Sequence, residues 1–151
     1  MNEYLHLLGV PYLEGKDDCY GLVRAYFKHN YQVVLPNYAR PLAFDHGGID
    51  LIGALKNNED CEVVPAAKAF LKTGDVLIFS VRSDRDNHFG IYVGNNMFIH
   101  HLINRRSEES NIDSVWFNRL TTVLRHKEAK QTETKSVWDF LTDQQKGKFN
   151  V

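Results

Sequence analysis

The stretch H-F-G-I-Y-V-G-N-N-M-F-I-H-H, residues 88–101, holds two apolar runs separated by Gly94-Asn95-Asn96. β-Branched and aromatic residues suit paired strands, while glycine and asparagine tolerate the left-handed backbone of tight turns, so the stretch predicts an antiparallel hairpin. His88 opens the first strand and His100 stands on the second. Side chains alternate along a strand, so these two share a face only if the loop has an odd number of residues or a bulge shifts the phase. A three-residue loop 94–96 meets that condition; a two-residue Asn95-Asn96 turn needs the bulge. The expectation is one or the other, with both imidazoles on one side of the sheet.

Around this hairpin, C-E-V-V-P (61–65), D-V-L-I-F-S-V (75–81) and Thr121–His126 read as further short strands, giving about five. Residues 104–111 read as a polar loop, and S-V-W-F-N-R (114–119) as a turn or helix before the last strand. The first half has a helical period instead. Met1–Gly9 predicts a short helix, Cys19 to about Asn30 a helix capped by Asp18 or Asp17 with Leu22, Val23, Tyr26 and Phe27 as its apolar stripe, and Phe44–Asn57 another. Helices followed by a run of strands define an α+β class, with N-terminal helices packed on a central antiparallel sheet. Residues 1–126 form one domain; 127–151 read as a charged linker and a short helix with Val137, Trp138 and Leu141 on its apolar face.

A chain of 151 residues with 43% hydrophobic and 12% aromatic content supports a core without disulfides or structural metal. A formal net charge of -1, with scattered lysines and arginines, excludes a general nucleic-acid binder. No apolar run nears the roughly 20 residues that span a bilayer, and the N-terminus lacks a secretory pattern, so membrane insertion and signal-driven export are not expected.

Two cysteines are present, Cys19 and Cys61. Cys61 reads as a small half-buried residue. Cys19, in D-C-Y-G-L-V, stands at a helix N-terminus, where partial positive charge stabilises a thiolate, but a core-filling role fits the local pattern as well. Gly21 suggests room for a substrate backbone. A nucleophilic cysteine needs a base, and His88 held by a polar side chain on the neighbouring strand is the arrangement required. His101 falls on the opposite face, and His6, His29 and His126 read as solvated. His46, with Asp45 and Asp50, raises the idea of a metal, yet the stretch reads better as a turn and helix start.

D-C-Y-G-L-V, then G-D-V-L-I-F, then H-F-G-I-Y-V-G and I-H resemble, in that order, the core motifs of NlpC-type cysteine peptidases. The resemblance implies a papain-like fold and a cofactor-free hydrolase acting on peptidoglycan stem peptides at the D-γ-glutamyl-diaminopimelate amide. It makes Cys19 the nucleophile, His88 the base and His100 the residue orienting it, with Tyr12 and Tyr20 at the oxyanion and substrate side. Tyr20 stands where cell-wall members often have serine. With L-P (35–36) and W-F-N-R-L-T-T-V-L-R-H-K (116–127), it resembles a phage tail-tip branch of the family. That branch implies tail-tip proteins as partners and a route from host cytoplasm to virion. Two rival readings accompany it: a tail component that keeps the fold for docking, and a peptidase that processes a tail protein.

Overall fold

Asp18 starts helix α1 (Cys19–Tyr31) from an extended backbone, its Oδ1 accepting the Gly21 N–H at 2.8 Å and its Oδ2 the Gly15 N–H at 3.0 Å. One carboxylate thus fixes the helix start and closes the loop before it. A computed structural model describes residues 2–38 and 51–129 of the chain. The predicted helix over 1–9 is a single 3-10 turn, Leu5–Leu7, and the predicted helix 44–57 is described from residue 51 onward, where Leu51–Lys56 forms α2. The expectations for Trp138 and the terminal helix lie outside them.

Six strands follow among the described residues: β1 (Cys61–Val64), β2 (Val76–Phe79), β3 (His88–Gly94), β4 (Met97–His100), β5 (Glu108–Asn111) and β6 (Leu120–His126). They form one antiparallel sheet in the order β1-β6-β2-β3-β4-β5, with a short helix α3 (Ser114–Arg119) leading into β6. The strand beyond the expected five is β5, Glu-Glu-Ser-Asn, on the edge of the sheet. It carries no apolar residue, so it has no hydrophobic alternation to betray it; its polar side chains suit an edge strand.

The sheet is covered on both sides. α1 lays Tyr20, Leu22, Val23, Tyr26 and Phe27 against one face, with Ile78, Phe89, Ile91 and Ile99. The other face collects Leu77, Phe79, Phe98 and Val123 under Trp116 and Leu120. Burial on both faces explains why β2 is a continuous apolar run rather than an alternating one.

The β3–β4 hairpin solves its phase problem with the bulge. Asn95 and Asn96, with φ of 54° and 62°, form a two-residue turn, and the register shifts between Tyr92 and Gly94. Gly90 then lies opposite His100, so His88, two residues back, shares the face of His100.

Two motif glycines have steric explanations. A Cβ on Gly21 would meet the Lys16 carbonyl oxygen at 1.8 Å, so the space the sequence suggested for substrate is taken by the chain's own loop. Gly74 has φ of +94°, and a Cβ there would stand 2.3 Å from the Tyr31 hydroxyl.

Asp75, the next residue, is fully buried and receives Arg125 Nε and Nη2 at 2.8 Å each, a two-pronged pair joining β6 to the turn before β2. The Lys72 N–H and the Phe70 carbonyl complete the network. Removing one partner strands a buried charge. Arg125→Ala is therefore expected to lower unfolding free energy by about 3 kcal/mol in urea titration, and Lys at 125 to restore only part of it, since an ammonium cannot make the fork.

Candidate active site

At the rim where β3 begins and β4 ends, a cleft of about 500 Å³ opens. Cys19 reaches its wall as the first residue of α1, and His88 as the first residue of β3. Tyr12, His101, Trp116, Arg119 and Glu108 are among the other walls. Cys19 belongs to the α1 side of the sheet and His88 to the α3 side; the cleft is where the two sides meet.

His88 Nε2 lies 2.9 Å from His100 Nδ1, and His100 Nε2 lies 2.9 Å from Ser110 Oγ. Glu108 Oε1 stands 3.6 Å from that same His100 nitrogen. A carboxylate there favours the proton on His100 Nε2, which then donates to Ser110. His100 Nδ1 is left to accept the His88 Nε2–H, and His88 Nδ1 keeps its lone pair. That is the tautomer a base requires. Trp116 fixes the rings from outside, 4.8 Å from His100 and 6.0 Å from His88 between centroids.

Both imidazoles are held neutral. Burial, with the charges of Arg105 and His101 added, pushes His100 down to about 3. Burial first, then His100, His101 and Arg119, holds His88 well below the usual histidine range. Cys61 stands elsewhere, on β1, where burial followed by Asp60 pushes its thiol up to about 11.

Tyr12 is held at the cleft by the segment before it. Ser107 Oγ donates to the Leu7 carbonyl and accepts the Val10 N–H, and its backbone bonds to Gly9 and Val10. The Tyr12 ring then meets His101 edge-on at 5.6 Å.

The sequence-predicted residues thus divide. Cys19, His88 and Tyr12 line one cleft, and His100 stands behind His88, out of solvent. Tyr20 does not join them, which corrects its expected place at the substrate side. It is fully buried against Phe89, and its hydroxyl donates to the Pro36 carbonyl at 2.7 Å. With Arg24 Nε on the Leu35 carbonyl, it ties the L-P segment to α1. His126 is also corrected: it is buried against Phe27, not solvated. His101 is buried and donates from Nε2 to the Arg105 carbonyl at 2.8 Å, a structural role at the cleft wall. His46 lies outside the described residues. Among the described residues, no group of three or more histidine, cysteine or acidic side chains is arranged to hold a metal.

Residues 9–125 match the NlpC/P60 family. The chain belongs to the NlpC/P60 family. Over 132 residues it is 29% identical to the tail tip assembly protein K of Escherichia phage N15, covering 85% of this chain and 53% of that protein. It is 26% identical over 136 residues to the protein of the same name from Escherichia phage lambda, covering 90% and 67%. The chain therefore spans about half the length of the phage N15 relative. Among solved structures, the NlpC/p60 domain of the peptidoglycan hydrolase SagA superposes with a TM-score of 0.53 at 16% identity, over 80% of this chain and 90% of that one. An NLP/P60 family protein similar to a lipoprotein, from Staphylococcus aureus Mu50, gives 0.54 at 18%, over 81% and 38%. At such identities these two bear on the fold alone.

Histidines buried neutral make stability depend on pH. The unfolded chain binds their protons near 6.5 and the folded chain only well below, so stability is full above about 6.5 and falls as pH drops towards 3. The slope approaches about 1.4 kcal/mol per pH unit for each histidine. Urea midpoints are expected to hold from pH 8 to 7 and then decline steadily, with a shallower decline in His100→Gln.

Proposed function

We propose that this chain is a cysteine peptidase of the phage tail tip that cleaves peptidoglycan stem-peptide amides, at D-γ-glutamyl-diaminopimelate. The observation that carries the reading is the shared cleft of Cys19 and His88, with His88 backed by His100 through Nε2 at 2.9 Å, a contact that leaves His88 Nδ1 uninvolved. The names of the two phage relatives support the tail tip, and the family supports the chemistry.

His88 Nδ1 takes the Cys19 thiol proton as sulfur attacks the scissile carbonyl. The Cys19 backbone N–H and the Tyr12 hydroxyl are the donors offered to the oxyanion, each worth about 3 kcal/mol in such sites. His88 returns the proton to the departing amine, leaving a thioester. Water, deprotonated by His88, releases the acid and regenerates the thiol.

Cys19→Ala is expected to abolish release of fragments from purified peptidoglycan while leaving the circular dichroism spectrum and urea midpoint unchanged; unaltered release by that variant would rule the mechanism out. The acid limb of kcat/KM is expected well below pH 6.5, because the base must be neutral and its pKa is lowered. Iodoacetamide at pH 7 is expected to label Cys19 ahead of Cys61, with the preference lost in His88→Ala; equal labelling of the two thiols would favour a docking role for the fold.

A further inference from the structure

We infer that Arg119 is the carboxylate-binding residue of the cleft, and that the substrate is a peptide whose leaving-amine residue carries a free carboxylate. This rests on the hydrolase reading above and narrows it.

Three guanidinium-bearing residues line the cleft: Arg82, Arg105 and Arg119. Against them stand two acids, Asp18 and Glu108, and both are engaged. Asp18 is spent on capping α1, with the Gly15 and Gly21 N–H groups on its two oxygens. Glu108 faces Arg105 at 3.8 Å and the His100 ring at 3.6 Å. Arg119 has no acidic partner among the described residues, and its charge is left for something that enters the cleft.

It is also the arginine that is held in place. Arg82 sits exposed in the turn between β2 and β3, and the Arg105 side chain is 62% exposed. The Arg119 guanidinium lies 4.7 Å from the centroid of Trp116, whose ring packs in turn on Phe79, Phe98 and His100. A planar fork stacked on a fixed ring loses little freedom when it takes a carboxylate in two parallel hydrogen bonds.

The side of the scissile bond follows from the same platform. Trp116 stacks near both Arg119 and His88, so Arg119 stands on the His88 side of the cleft. His88 delivers its proton to the departing amine, so the residue carrying that amine passes over this wall. A carboxylate bound there also offsets one of the charges, beside His100 and His101, that oppose protonation of His88. The base then gains proton affinity when substrate is seated.

The test uses two peptides identical except that the leaving-amine residue bears a carboxylate in one and a carboxamide in the other. kcat/KM is measured for the native chain, Arg119→Gln and Arg119→Lys, and calorimetric binding of both peptides is measured with Cys19→Ala and with Cys19→Ala/Arg119→Gln. The native chain is expected to prefer the carboxylate peptide by about ten- to a hundredfold. Arg119→Gln should erase that preference by losing the carboxylate peptide alone, and Arg119→Lys should keep part of it. Indifference of the native chain to the substitution, or an equal loss on both peptides in a folded Arg119→Gln, overturns the assignment. Should neither peptide be cleaved, the hydrolase reading falls, and calorimetry decides Arg119 separately. Selective binding lost on Arg119→Gln supports it; equal or undetectable binding of the two peptides overturns it.

Discussion

The phase of one hairpin decides which side chains meet behind the cleft. A two-residue Asn95-Asn96 turn alone would send His88 and His100 to opposite sides of the sheet. The bulge between Tyr92 and Gly94 returns them to one side, where their nitrogens meet at 2.9 Å. Because the sheet is packed on both faces, that side is apolar, roofed by Trp116 and floored by Phe79 and Phe98. Dryness keeps both rings neutral, and neutrality makes the relay directional: Glu108 and Ser110 decide where His100 holds its proton, and His100 decides where His88 holds its own.

The position of Cys19 has an independent cause. Asp18, itself almost fully buried, uses both oxygens on backbone N–H groups, and the Lys16 carbonyl fills the space beside Gly21. Cys19 is thereby fixed at the first turn of α1 by backbone geometry before any substrate arrives. Elsewhere the G-D of the second motif anchors Arg125 on β6, so motif residues that read as markers of a reaction prove in part to be markers of the fold.

What was legible in the sequence had local causes. The apolar stripe of α1, the Asx cap, the glycine-asparagine turn and the β-rich runs each obey short-range rules, and together with the ordered motifs they pointed to the α+β class and to Cys19, His88 and His100. The failures share a different cause. Tyr20 sits next to Cys19 in sequence, but neighbouring positions on a helix face different ways, and its ring turns into the core to meet Phe89 and Pro36. β5 has no apolar pattern, because an edge strand needs none; its Ser110 and Glu108 therefore escaped notice although they touch the central histidine. Trp116 and Arg119 read as part of a turn or helix, with nothing to show that it folds over the histidines.

The sequence by itself determined the apolar runs and the capping that build most of the elements, and the order of motifs that marks the family. Only the tertiary structure decided that the hairpin is bulged, that a polar edge strand meets the central histidine, and that the Arg119 guanidinium, with no acidic partner among the described residues, lines the cleft. The physical reason is range. Propensity and capping act within a few residues, whereas burial, proton placement and charge pairing are set by groups that lie far apart along the chain and meet only when the sheet has closed.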